Sequence, residues 1–389
     1  MKILALNFCN YIDYPLGGEL TFVKNLISAF GKDIKLVGIS TDSTINTGEW
    51  TKQVINGIEY DYFSIAKVKK TFKRTIIPQR IKAFIKLKPH ISKILTTTEY
   101  DRIFVQSPEI LMCIPNKFLS KTFVVMPGVE NPLSISRYSY ARKLQKIYDF
   151  FFMRKIKHVK HIFASADEQE LKNFILRSNG KIKREQIIKY PTRYDSTIYF
   201  ENDKVKSREQ LGLSPSAKII ITVGRLAWFK GWKFMVDSLE IVLKYQPDTF
   251  FYFIGDGEDR NKIEEYIIKK NLAHNIILQG SLPPQQVALF LNAADTFIMG
   301  SYKEGWSTTL VEACACCVPC VVTNFSSAEE MIKDGINGYV IKSRSIEKFA
   351  TQILESLKFD RKKISEFNNK YKSFAVNKMR ESLENYMYL

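Results

Sequence analysis

The sequence predicts an α/β chain of two Rossmann-like domains, each built on a parallel sheet covered by helices on both faces. Three observations predict it. Short, nearly uncharged apolar runs alternate with longer amphipathic stretches. The alternation occurs as two series, separated by a polar stretch over 192–216. The length, 389 residues, exceeds what one ordinary core holds. A strand buried on both faces reads as a continuous apolar run, and strand–helix alternation joins such strands in parallel.

The first series opens with KILALNF (2–8), apolar after Lys2. The glycine-rich YPLGGEL follows, then TFVKNLISAF, where Phe22, Val23, Leu26, Ile27 and Phe30 recur at helical spacing. Strand, glycine turn and helix form the first unit of a Rossmann-like half. IKLVGIS (34–40), RIFVQSP (102–108), TFVVMPG (122–128) and HIFASA (161–166) read as further strands, with amphipathic helices in the gaps. KIIITVGR (218–225) starts the second series. TFFYFIGDG (249–257), NIILQG (275–280), TFIMGS (296–301) and CVVTN (320–324) continue it. Pro191 and the charged run 201–209 read as a linker. The expected domains are 1–192 and 193–365, with 366–389 a C-terminal helix packing back on the first domain.

Apolar content of 45% and aromatic content of 13% exclude a disordered chain. The formal charge of +18 implies attraction to polyanions: nucleic acid, an anionic membrane face or phosphorylated ligands. The sign alone does not choose among them, and a basic surface that only aids solubility gives the same number. MKILALNFCNYIDYP does not read as a signal peptide, because Asn7 and Asn10 break its apolar run. No apolar stretch reaches the ~18–20 residues of a spanning helix. The expected location is cytoplasmic, with peripheral attachment at the inner membrane face. Four of the six cysteines crowd into CACCVPC (314–320). Cys314 and Cys316 are two apart and point in different directions on a helix, so small buried residues fit better than a metal site.

Three motifs carry chemistry. In VGRLAWFKG, Arg225 ends a strand and Lys230 precedes a helix starting near Gly231. Ligands of open parallel sheets bind at the carboxyl ends of strands, where two cations beside helix N–H groups suit a diphosphate. A surface Arg and Lys would look the same. In FIGDGEDR, Gly255 and Gly257 bracket a tight turn that lets backbone approach a ligand, a weak signal by itself. In EGWSTTLVE, Glu304 lies in a loop, Ser307 is a good N-cap, and Glu312 sits about one turn into the next helix. Ser307, Thr308 and Thr309 offer donors at the positive helix end, as a phosphate needs. The two flanking carboxylates offer the acceptors that sugar or ribose hydroxyls need. The combination fits a nucleotide sugar; a plain cap and a solvated Glu312 fit the spacing equally well.

These motifs, in this order and with LQGSLPPQQV and DGINGYV between and after them, resemble the nucleotide-sugar domain of the GT-B retaining glycosyltransferases of family 4 (glycosyl transferases group 1). The resemblance is strong over about 218–356 and weaker over the first half, where PLGGELTFVKNL resembles the family's first glycine-rich loop. It implies a GT-B fold, with two Rossmann-like domains whose sheets face a central cleft. The first domain would bind the acceptor and the second the nucleotide sugar. Arg225 and Lys230 would hold the donor diphosphate, and Thr308 and Thr309 would contact phosphate. Gly305 and Ser307 belong to the same donor-binding loop. Glu312 would hold the ribose, and Glu304 would face the donor sugar at the reacting centre. Leu282, within GSLPP (280–284), would lie near the base. Gly17 and Gly18 would let the N-terminal loop approach the phosphates. Neither a metal nor a cofactor is implied, since the leaving diphosphate itself helps deprotonate the acceptor.

Two departures stand out. The family commonly has a His after the strand matching TFVVMPG, where this chain has Met126, Pro127 and Gly128. Glu130 or a backbone group would then serve the donor sugar. The family usually has Gly where Cys317 stands, at a left-handed helix end.

The first half also carries ten Lys/Arg and no acid over 67–93, interleaved with Phe72, Ile76, Ile77, Ile81, Phe84, Ile85 and Leu87. The segment 137–160 repeats the mix. Both suit an anionic membrane surface and a lipid-linked glycan acceptor, and a solvated helix face reads the same way. No nucleic-acid-binding module accompanies the charge. The sequence therefore predicts a retaining hexosyltransferase using a nucleoside-diphosphate sugar, with a lipid-linked glycan of cell-surface polysaccharide as acceptor. A soluble enzyme with a small acceptor, a non-catalytic sugar-nucleotide or polyanion binder, and a sugar-nucleotide epimerase are its rivals.

Overall fold

The computed structural model describes residues 1–15, 18–55, 57–70, 79–126, 128–134 and 139–387. By its contacts the chain divides into two compact units, Met1–Pro191 with the C-terminal segment from Val376, and Thr192–Ala375.

Among the described residues the first unit has eight strands: β1 (Ile3–Leu6), β2 (Ile34–Ser40), β3 (Trp50–Ile55), β4 (Ile58–Lys67), β5 (Arg102–Val105), β6 (Thr122–Met126), β7 (His161–Ala164) and β8 (Ile187–Lys189). Their order is β3-β4-β2-β1-β5-β6-β7-β8. Every neighbouring pair is parallel except β3 and β4. Side chains alternate across a strand, so Leu4 and Leu6 enter one core while Ile3 and Ala5 enter the other. Burial on both faces explains why β1 carries no charge.

The hairpin corrects the expectation of helices throughout 40–102 and of a purely parallel sheet. Ile55 stands opposite Ile58, and Gly57 has φ of +77°. Asn56–Gly57 between two apolar-alternating runs is the dipeptide a two-residue hairpin turn favours, so the signal was present and unread.

The second unit has six parallel strands: β9 (Lys218–Val223), β10 (Thr249–Ile254), β11 (Ile276–Gly280), β12 (Thr296–Met299), β13 (Cys320–Thr323) and β14 (Gly338–Ile341). Their order is β11-β10-β9-β12-β13-β14, the doubly wound arrangement whose topological switch lies between β9 and β12. Ile219 and Ile221 of β9 face one core and Ile220 the other.

The stretch expected as a linker is packed structure. Asp203 caps the helix Lys204–Leu211 by accepting from the Lys206 N–H at 3.0 Å, and Gly212 ends it at φ of +63°. Arg208 is 5% exposed and donates to Asp295 Oδ2 at 2.6 Å and to the Ala293 and Pro215 carbonyls. Asp295 also accepts from the Ile219 N–H at 2.7 Å and pairs with Lys204. The charged run thus clamps the start of β9 through a buried carboxylate whose oxygens are fully bonded.

The segment from 366 is likewise not one closing helix. The helix Arg361–Asn368 and the turn Asn369–Phe374 stay with the second unit, whose core takes Tyr371 and Ala375. Only the segment from Val376 joins the first unit, where Met379, Leu383 and Met387 of the helix Met379–Met387 share a core with Leu26 and Phe30.

Candidate functional site

Three of the sequence-predicted residues, Arg225, Lys230 and Glu304, gather at the switch point of the second sheet. β9 runs out into Gly224 and Arg225, and β12 into Gly300 and Ser301. Gly231 caps the helix Trp232–Tyr245 at φ of +70°, and a β-carbon there would stand 1.8 Å from the Gly300 carbonyl oxygen. Only glycine permits that approach. It lays the loop bearing Lys230 against the loop bearing Glu304, and the Tyr302 N–H donates to the Phe229 carbonyl at 2.8 Å. Lys230 Nζ consequently lies 2.5 Å from Glu304 Oε1, which also accepts from Ser301 Oγ at 2.6 Å. Arg225, Lys230 and Ser301 line one recess with Gly224, Trp232 and Met299.

Gly255 and Gly257 owe their identity to the protein's own backbone. A β-carbon at Gly255, where φ is +137°, would meet the Gly224 oxygen at 1.9 Å, and one at Gly257 the Leu226 oxygen at 2.4 Å. The exits of β9 and β10 are therefore in contact, rather than leaving the room for a ligand that the motif suggested. This contact brings Arg225 Nε to 2.8 Å from Glu258 Oε2, with both side chains about half exposed.

The helix Thr308–Ala315 begins at Ser307, whose extended backbone and Oγ cap the Leu310 N–H at 3.4 Å. Ser307 Oγ lies 3.3 Å from Thr309 Oγ1. The N–H groups of Thr308 and Thr309 have no carbonyl one turn back to meet, so they add to the positive helix end. Gly305 leads into Trp306, which is buried against Phe374 and whose carbonyl accepts from Thr192 Oγ1 at 2.9 Å. Glu312 lies one turn into the helix and is half-buried. Burial pushes its carboxyl up to about 8, an effect partly offset by a hydrogen bond with Tyr199. Leu282, after β11, is partly buried against the same core as Trp306 and Leu310.

In the first unit Gly18 opens the helix Gly18–Phe30, while Gly17 lies outside the described residues. Met126 closes β6, Pro127 lies outside the described residues, and Glu130 is exposed.

Several residues with no motif complete the site. Arg344 donates to the Gly300 carbonyl at 2.9 Å and the Ser301 carbonyl at 3.2 Å. Its guanidinium stacks 3.7 Å from the Tyr302 ring centre and 4.5 Å from that of Phe234. Thr323 Oγ1 donates to the Ser301 carbonyl at 2.6 Å. Together they hold the loop that presents Glu304. Tyr199 lay in the supposed linker, and Arg344 in a stretch without any pattern, so neither could be found from spacing.

All four cysteines of CACCVPC are free and buried. Cys317 sits at φ of +55°, the left-handed position where the resemblance implies glycine. Its N–H donates to the Cys314 carbonyl, and the Val318 N–H to that of Ala313, the bonding of a helix end that normally takes glycine. Among the described residues no group of three or more His, Cys, Asp or Glu could hold a metal ion.

Two doubly wound sheets, with a cation–carboxylate pair and a capped helix at the switch point of the second, define a protein of the two-domain GT-B glycosyltransferase fold. Residues 203–374, all within the second unit, match the family described as Glycosyl transferases group 1. The chain is 25% identical to D-inositol 3-phosphate glycosyltransferase of Segniliparus rotundus over 43% of this chain and 38% of that protein. It is 26% identical to UDP-Gal:alpha-D-GlcNAc-diphosphoundecaprenol alpha-1,3-galactosyltransferase of Escherichia coli over 37% of this chain and 38% of that one. These matches span well under half the length of either relative. The fold of the whole chain is similar to Anabaena Alr3699/HepE in complex with UDP and glucose, with a TM-score of 0.70, 17% identity, and coverage of 100% of this chain and 99% of that one.

Proposed function

We propose that the protein is a retaining glycosyltransferase. It moves a hexosyl unit from a nucleoside-diphosphate sugar to a sugar hydroxyl of a lipid-linked glycan, in cell-surface polysaccharide assembly at the inner membrane face. The observation that carries this reading is the meeting of Lys230, Glu304 and Ser301 at the switch point of the second sheet. A diphosphate there would find cations, and hydroxyls would find carboxylates.

In this reading Arg225, Lys230 and the N–H groups of Thr308 and Thr309 hold the diphosphate. Glu312 accepts the ribose hydroxyls, Glu304 faces the hexose, and Leu282 lies near the base. Gly18 opens the first helix of the first, acceptor-binding unit. The bond from the anomeric carbon to the diphosphate oxygen breaks, and the acceptor oxygen bonds to that carbon on the same face. The acceptor's proton passes to the departing diphosphate. The protein's main task is then to stabilise charge on the leaving group.

The name of the Escherichia coli relative, with its diphosphoundecaprenol-linked acceptor, supports the lipid-linked clause. So does the helix Gln79–Leu87, which exposes Ile81 and Ile85 beside Lys82 and Lys86. Among the described residues no helix is long and apolar enough to cross a membrane.

Thermal-shift screening of nucleoside diphosphates and their sugars tests the donor clause. A true donor at ~100 times its Kd adds about 2.7 kcal/mol to stability. If no nucleotide sugar raises Tm, or if folded Lys230→Ala and Glu312→Ala variants handle every donor like the parent, the reading fails. The missing His after β6 favours a second reading, a non-catalytic sugar-nucleotide binder. Donor hydrolysis or transfer above background excludes it.

A further inference from the structure

We propose that the helix Gln145–Ile156 and the basic recess at its C-terminal end form a docking site for an anionic phospholipid bilayer. The inference rests on the lipid-linked reading above and gives the membrane contact a place on the molecule.

The inner face of this helix buries Phe152, Met153 and Ile156. Its outer face exposes Leu144, Ile147, Phe150 and Phe151, each between 45% and 56%. Spacings of three and four place these four side chains on one side of the helix. Single exposed apolar residues are ordinary, but four together, with the Phe150 and Phe151 rings 5.3 Å apart, form a continuous patch. The aliphatic members favour acyl chains over nucleobases, which need flat partners for stacking.

Charge follows the apolar patch along the helix. The Arg154 guanidinium lies 5.4 Å from the Phe150 ring centre. Arg154, Lys155, Lys157, His158 and Lys181 then surround a recess of about 520 Å³. Lys155 Nζ donates to the Ile114 carbonyl at 2.7 Å and to Asn116 Oδ1 at 2.9 Å, which fixes one wall. Between 142 and 160 there are seven Lys/Arg and one acid, Asp149, which pairs with Arg177 at 3.6 Å. Basic side chains beside partly inserted aromatics are what a negatively charged headgroup layer binds.

The position separates this site from acceptor binding. Asn116 precedes β6, the helix end precedes β7, and Lys181 precedes β8. The recess therefore lies at the amino-terminal edge of the first sheet, whereas ligands of such sheets bind beyond the carboxyl ends.

The test is flotation of the full chain with phosphatidylcholine vesicles and with vesicles that also contain phosphatidylglycerol. The parent should float only with the latter. Each basic residue close to such a surface is worth about fivefold, so Arg154→Gln/Lys157→Gln/Lys181→Gln should weaken binding about a hundredfold. Ile147→Ser/Phe150→Ser/Phe151→Ser should leave weak binding that salt abolishes. All six side chains are exposed, so melting temperatures should stay within a few degrees. A control with the same charge loss on the second unit, Lys348→Gln/Lys362→Gln/Lys363→Gln, should bind like the parent. If the control falls as far as the first triple variant, bulk charge is responsible and the site is refuted. If both helix variants bind like the parent, the membrane reading survives but this site does not. If the parent binds neither vesicle, both fall, and transfer to a water-soluble acceptor still decides the enzymatic reading. Binding of single-stranded DNA through these residues without vesicle binding would also overturn the proposal.

Discussion

Lys230 and Glu304 meet where β9 and β12 diverge, with Nζ 2.5 Å from Oε1 and the side chains 25% and 13% exposed. Each neutralises the other, and Ser301 fixes the carboxylate from a second side. A lysine ammonium has three donors, so Lys230 can keep Glu304 while it binds phosphate. Glu304→Gln removes the competitor for that ammonium. A free nucleoside diphosphate should then bind equally or up to about fivefold tighter, as expected for losing one partly screened ion pair. Sugar transfer should fall by about a hundredfold or more. Lys230→Ala should lose both binding and transfer, the latter by ~10²–10³. Calorimetry with the nucleotide, beside a transfer assay, separates the two outcomes; equal effects on binding would refute the division of roles.

If Glu312 holds the ribose as proposed, nucleotide binding should depend on pH. Burial holds its carboxyl near 8, so at neutral pH it is mostly protonated in the free protein. A ribose diol needs the ionised acceptor, so binding should release a proton and affinity should rise toward pH ~8 and then level. Calorimetry at neutral pH in buffers of different ionisation enthalpy measures the release, and Glu312→Gln should abolish it. The same shift acts on folding. Its value lies above the ordinary 4.5, so its stabilising contribution is complete below pH ~4.5 and is lost as pH rises through about 8.

Cys317 carries a β-carbon at a left-handed helix end. Cys317→Gly and Cys317→Ala both remove the thiol, but only glycine relieves the backbone. The glycine variant should be the more stable by about 1 kcal/mol in chemical denaturation. A more stable alanine variant would contradict this account.

Arg344 touches no predicted site residue, yet it holds the carbonyls of Gly300 and Ser301. Arg344→Met keeps apolar contact with Phe234 and Tyr302 but drops these charge-assisted bonds, at about 2 kcal/mol of stability. Transfer should fall through kcat more than through the donor KM, because Glu304 loses its support while Lys230 remains. An unchanged kcat in the folded variant would remove Arg344 from the machinery.

Local features were legible in the sequence where local physics sets them. β2 begins and ends at the predicted residues, Ile34 and Ser40, because burial on both faces keeps every position but the partly exposed Lys35 uncharged. Ser307 caps its helix as expected, because capping uses atoms only three residues apart. The hairpin over 50–67 was missed although its turn dipeptide was present, because its strands had been absorbed into a helical reading of the gap. The run 201–209 looked solvated because its charges are local while the partner that buries Arg208, Asp295, lies 87 residues away.

By itself the sequence determined the two series of buried strands, the capped helix bearing Glu312 and the loops bearing Arg225, Lys230 and Glu304. Periodicity and capping act over a few residues, so they are written locally. Only the tertiary structure decided that β9 and β12 lie side by side, that Gly231 meets the Gly300 carbonyl, and that Lys230, Glu304 and Arg344 support one loop. Those contacts join segments tens of residues apart, and they follow from sheet order and close backbone packing, which no short stretch of sequence encodes.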